Sequence, residues 1–200
     1  RSSPVTGVQT CALPILNMSY RNGTYVAFDG NDTTDPTKSD MKYYGLLQSW
    51  NSNKNIEFSF SDSHKKTYQV NDSSQIETLK ARLQERMRNS KNMLIIISED
   101  TNWNRGMLNF EIEKAVDYYN IPLIIAYAKY NKIRDVDSLS EKWPKALKER
   151  IDNGKAKCIH IPFKKEPILD AISQFSSNSK YPSSPKNVYS ESAYREWGIN

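Results

Sequence analysis

Cysteine is nearly absent from this chain, with two in 200 residues, and Cys11 falls in a leading stretch set aside below. The one thiol that remains, Cys158, excludes an intrachain disulfide framework and fits a reducing cytoplasm. Histidine is as scarce. The two residues, His64 and His160, are too few and too far apart for a metal cluster. Glycine numbers only seven and forms no G-x-G-x-x-G, so a dehydrogenase-type dinucleotide site is not supported. No apolar run approaches the length of a membrane span. The formal charge of +5 is mild and does not by itself point to nucleic acid.

The leading stretch, residues 1–17, is expected to be non-native. Arg1 to Ile15 (RSSPVTGVQTCALPI) resembles a translated sequencing-adapter read-through, and Met18 is the expected start. A short signal peptide is the alternative, but the stretch lacks the required apolar run and has one basic residue. Residues 18–176 then form one domain of ordinary size, and residues 177–200 form a tail. The tail opens with a Ser/Pro-rich linker and ends in a short aromatic helix, Tyr189 to Ile199. That helix either packs back on the domain or serves as a docking peptide.

Within the domain, strands and helices alternate. Thr24 to Phe28 is rich in β-branched and aromatic residues and stops at Asp29-Gly30, a strand and then a turn. Ser39 is the expected cap of a helix with Tyr43, Leu46, Leu47 and Trp50 on one face. Ile56 to Phe60 alternates as a half-exposed strand does. Ser74 to Glu77 has capping-box spacing and precedes Ile76, Leu79, Leu83 and Met87 at helical intervals. Met93 to Ile97 is too apolar to alternate and reads as a strand buried on both faces. A polar turn from Ser98 to Gly106 leads into a helix with Ile112, Ala115, Val116 and Tyr119 inward. Pro122 to Tyr127 is another apolar strand. Ser140 is expected to open a helix with Trp143, Leu147 and Ile151 inward, leaving at Asn153-Gly154. Cys158 to Pro162 is the last strand of the domain, and Pro167 marks the first turn of its last helix.

Such alternation implies right-handed β-α-β units and a parallel sheet covered by helices on both faces, the α/β class. Strand character predicts the order 2-1-3-4-5, with Ile56–Phe60 and the Pro-bearing Cys158–Pro162 at the edges. In that order the crevice lies beyond the ends of the first and third strands, bordered by Phe28 to Lys38 and Ser98 to Gly106. Glu111 stands in the helix just behind the second loop. On spacing alone it is either a site carboxylate or a solvated first-turn acid favoured by the helix dipole. Arg82, Arg86, Arg88 and Lys91 are either a phosphate-touching patch or a solvated helix face.

Three stretches carry a resemblance: Asn92 to Ser98 (NMLIIIS), Phe110 to Val116 (FEIEKAV), and Trp143 to Phe175 with its WPKALKERI and HIPFKKEP. Over about Tyr20 to Phe175 the chain resembles the TIR-like domains of bacterial immunity, in particular the TIR-like subunit of the Thoeris antiphage system. The resemblance implies a flavodoxin-like, TIR-like three-layer fold. It also implies cleavage of NAD at the nicotinamide-ribose bond, yielding a cyclic or otherwise modified ADP-ribose signal. NAD is then the substrate, with no separate cofactor and no metal. Glu111 matches the family's catalytic glutamate. The family often has Trp four residues before that glutamate, where this chain has Met107, with Trp103 nearby. Phe28 and Trp103 are candidates to stack on the rings of NAD, and Asp29 or Ser63 to bind its hydroxyls, with Met107 shaping the pocket. The implied partners are an effector reached through the diffusible nucleotide, a phage-protein trigger and further copies of the chain.

Two other classes fit parts of the sequence. One is a catalytically silent TIR-like or flavodoxin-like interaction module, favoured by Met107 in the tryptophan position. The other is a phosphoacceptor receiver domain, since Asp29, Asp100 and Lys164 each follow a strand. That reading lacks the adjacent acidic pair needed to hold Mg²⁺.

Overall fold

The computed structural model of the protein describes residues 21–31, 33, 35–55, 60, 76–104 and 106–199. The expected strand Ile56–Phe60 (Phe60 apart), Ser63, His64 and the capping residue Ser74 lie outside the described residues.

Five parallel strands make one sheet: β1 (Gly23–Ala27), β2 (Ser90–Ile97), β3 (Leu123–Tyr127), β4 (Cys158–Pro162) and β5 (Asn187–Val188), in that spatial order. Helices α1 (Met41–Ser52), α2 (Ile76–Arg88), α3 (Gly106–Glu113), α4 (Lys145–Asp152) and α5 (Lys165–Gln174) cover its two faces, and α6 (Glu191–Glu196) follows β5. The chain is thus the α/β protein with a parallel sheet that the alternation predicts. Alternate strand residues serve opposite layers. Tyr25, Met93, Ile95 and Ile125 pack with Leu83 and Met87 of α2, Ile112 of α3 and Leu147 of α4. Val26, Leu94, Ile96 and Ile124 pack with Leu47 of α1 and Ile168 and Ile172 of α5. The Met93–Ile97 part of β2 is apolar throughout because it feeds both layers.

Some expectations are corrected by the packing. Cys158–Pro162 is not an edge strand, because Asn187 and Val188 pair beyond it with Ile159 and His160. Its polar residue is satisfied inside. The Nε2 of His160 lies 2.9 Å from the Pro185 carbonyl and its Nδ1 lies 2.8 Å from the Tyr127 hydroxyl, which accepts from Nε1 of Trp143 at 2.8 Å. A carbonyl facing Nε2 requires a proton there, so Nδ1 is the acceptor and Tyr127 donates to it. The relay runs Trp143, Tyr127, His160, Pro185, tying α4's entrance, two strands and the tail together.

Leu46 is exposed, contrary to the expected stripe. The buried face of α1 is rotated toward Tyr44, which stacks on Phe28 at 5.2 Å, while Tyr43 and Trp50 meet Phe163. At 100° per residue this turns Leu46 outward. Ser39 stands one residue outside the N-cap, Asp40, and accepts from the Met41 N–H. Ser140 does not open α4. A short 3₁₀ turn (Asp137–Lys142) precedes it, and Pro144 holds Trp143 extended, so the helix begins at Lys145. Trp143, Leu147 and Ile151 are buried as the spacing predicts, and Gly154 takes φ +74° at the helix exit.

Asn92, buried in β2, donates through Nδ2 to the carbonyls of Ile172 and Phe175 at 3.0 and 2.7 Å. Asn92→Ala strands two carbonyls at the end of α5. It is expected to lower stability by about 2 kcal/mol, read as a lower urea midpoint at unchanged slope.

Candidate active site

The loops after β1 and β2 are stitched to one another. Asp29, 1% exposed, accepts from the backbone N–H of Asn31 through Oδ1 and of Asn102 through Oδ2, at 2.8 and 2.9 Å. Thr101 donates to Asp40 at 2.7 Å, and Lys42 bonds Asp100 at 2.9 Å. Burial raises the pKa of Asp40, against hydrogen bonds from Ser98 and Thr101 that lower it. Asp29 therefore fixes loop geometry, with each carboxylate oxygen already taken by a backbone donor.

After this stitched rim, α3 packs in the core layer that holds Tyr25 of β1. Leu108 and Ile112 anchor it in the core, and Glu111, beside Ile112, turns toward the sheet and is 8% exposed. Its Oε1 accepts from the Tyr25 hydroxyl at 2.6 Å, a buried bond between residues 86 apart in sequence. Burial pushes the Glu111 carboxyl up to about 7, while the Tyr25 hydrogen bond and the Arg86 guanidinium pull the other way. The Tyr25 phenol is pushed well above its ordinary value, first by burial and then by the Glu111 charge. The result is a carboxyl poised to gain or lose its proton near neutrality, the range in which a single group serves in either form.

The other candidate residues are dispersed around this pair. Met107, one turn above Glu111 on α3, is half-buried and packs on the core layer that holds Tyr25. Trp103 is half-exposed; its carbonyl receives the N–H of Lys145 at 2.8 Å and the Asn109 side chain at 3.2 Å, coupling the loop to α4. Phe28 points to the opposite layer, against Tyr44 of α1, and is not brought to Glu111. Ser63 lies outside the described residues. Phe110, next to Glu111, carries the ammonium groups of Lys80 and Lys114 at 5.4 and 5.7 Å from its ring centre.

Sequence reading missed Tyr25 and the electrostatic role of Arg86. One signal was present: a tyrosine on a fully buried strand needs a partner for its hydroxyl. No spacing rule says that the partner is on α3.

Residues 25–133, just over half of the chain, match the family model described as the Thoeris protein ThsB, TIR-like domain. The chain belongs to this family. The match to the TIR-like domain begins at Tyr25 and so includes Arg86, Met107 and Glu111, along with β2 and β3. The block Trp143–Phe175 lies beyond it. Among the described residues of this TIR-like domain no helix is long and apolar enough to cross a membrane, and no group of three or more His, Cys, Asp or Glu is placed to hold a metal ion.

Proposed function

We propose that this TIR-like domain cleaves NAD at the nicotinamide-ribose bond, with Glu111 as the catalytic residue, in the cytoplasm of a bacterium under phage attack. The observation that carries the reading is the buried Glu111 carboxyl, held by Tyr25 within the family-matched span. Ordinary glycosides need a second carboxyl to protonate the leaving group. Nicotinamide in NAD is already a pyridinium, so the bonding pair of the C1′–N bond goes to the ring nitrogen and the base departs neutral. One carboxylate is enough to stabilise the positive charge left on the ribose or to bond transiently to C1′.

A site closed to water favours capture of C1′ by a nucleophile of the ADP-ribose itself, which sheds its proton and gives a cyclic or otherwise modified product. The product then acts as a diffusible signal on an effector. A phage-protein trigger and self-association of the chain belong to the same reading as conditions for activity. The half-buried Met107, in the position where relatives often have Trp, favours a second reading: a silent interaction module with the same fold.

The test is incubation of the purified protein with NAD, with and without phage lysate, following nicotinamide and nucleotide products by chromatography and mass spectrometry. Nicotinamide is expected from wild type and not from Glu111→Gln. Because the ionised carboxylate is the working form, turnover should rise with pH through about 7 and then level. Intact NAD under every condition speaks for the silent module, and equal turnover by both proteins removes Glu111 from the mechanism.

A further inference from the structure

We propose that Tyr25 is the positioning residue of this site: its hydroxyl pins Oε1 of Glu111, so that Oε2 is the oxygen presented to the ribose. This rests on the NAD-cleaving reading and adds a residue to it. A glutamate side chain on a helix has three torsions to fix, and α3 alone does not fix them. Tyr25 does so from the middle of β1, where it pairs in register with Met93 of β2.

The 2.6 Å separation lies within the range of a charge-assisted O–H···O⁻ bond. Among the described residues no side chain is seen donating to Oε2, which leaves that oxygen for substrate. Packing alone does not account for the hydroxyl. Phenylalanine fills the same volume in a buried strand without a polar group to desolvate, so the tyrosine oxygen is offset by its bonding, in which Glu111 takes part. The phenol's own titration is pushed upward by burial and by Glu111, so it remains a donor wherever the carboxylate is charged.

Two replacements test this. Tyr25→Phe removes the donor, and 3-fluorotyrosine at position 25 keeps the shape while strengthening it. Two readouts are taken: the titration of the Glu111 carboxyl by carbon NMR, and the pH profile of NAD cleavage. Tyr25→Phe should move the carboxyl titration and the acid limb of kcat upward together by about one pH unit. Turnover near neutrality then falls about fivefold with KM little changed. Fluorotyrosine should move both downward, and because it preserves the fold it answers the question even where Tyr25→Phe does not fold. A carboxyl titration indifferent to both replacements overturns the positioning role in an enzyme that still cleaves NAD. A wild type that leaves NAD intact while its carboxyl still follows Tyr25 overturns the reaction instead.

Discussion

Glu111→Gln is expected to abolish NAD cleavage and, at about pH 8, to unfold at a higher urea concentration than wild type. Burial raises the carboxyl to about 7, whereas in the unfolded chain it titrates near an ordinary glutamate value of about 4.3. Between those two values the folded protein holds a proton that the unfolded chain has released. Stability therefore falls as pH rises through this window, and above it the protein carries the whole deficit, about 4 kcal/mol. Glutamine has the same shape and no charge, and its amide oxygen still accepts from Tyr25. Its NH₂ group gives back part of the gain, leaving a net stabilisation of about 2 kcal/mol. On the proposed mechanism, loss of turnover should reach about a thousandfold, since the charge assigned to stabilising the ribose cation is gone. A variant that is less stable at alkaline pH would mean that the carboxyl is better solvated than its surroundings imply.

The same variant should become acid-sensitive where wild type is not. His160 is buried and neutral, with its pKa lowered to about 4, chiefly by burial, against the Pro185 carbonyl that raises it. Unfolded histidine titrates near about 6.5, so between 6.5 and 4 the unfolded chain binds a proton that the folded one refuses. Stability drops by about 3 kcal/mol as pH falls across that interval. In wild type, Glu111 gains stability over nearly the same interval, and Asp40, also raised by burial, adds in the same direction. The wild-type curve should be close to level between about pH 6.5 and 4.5, and that of Glu111→Gln should slope by about 2 kcal/mol. Denaturant unfolding at a series of pH values reads both. Parallel curves for the two proteins would show that Glu111 does not titrate in this range.

The parts of the fold readable in sequence are those decided by apolar content and helical spacing. Met93 to Ile97 announces an interior strand because no residue in it tolerates water. Leu147 and Ile151 announce a helix face because their spacing admits one side only, and Trp143 is buried with them from the extended segment just before the helix. Misreadings arise where a polar residue is satisfied internally or a helix face is rotated by an unexpected partner. Pro162 and the polar His160 make β4 look like an edge, although Asn187 and Val188 pair beyond it and Tyr127 and Pro185 supply the histidine's bonds. Leu46 fits the stripe of α1 until Phe28 draws Tyr44 inward. At the site, sequence singles out Glu111 by its place behind the crevice and by resemblance. It is silent on the Tyr25 bond, which exists only because α3 packs in the core layer on the sheet face that carries Tyr25. Asp29 illustrates the converse: a carboxylate at the end of the first strand has the composition of a ligand group, but two backbone N–H groups occupy it.

The tail strand has a consequence for the order of events during synthesis. His160 is completed by a carbonyl 25 residues further along the chain, and β4 gains its outer neighbour only with Asn187 and Val188. While the ribosome is still making that segment, β4 presents unpaired backbone and a polar ring without one of its partners. Parallel sheets already close late because their contacts are distant in sequence. Here the final closure waits on α6 as well, whose Glu191 pairs with Lys132 and whose Tyr194 is fully buried. A nascent chain stalled short of Pro185 is therefore the species most exposed to chaperones and to mispairing with its neighbours.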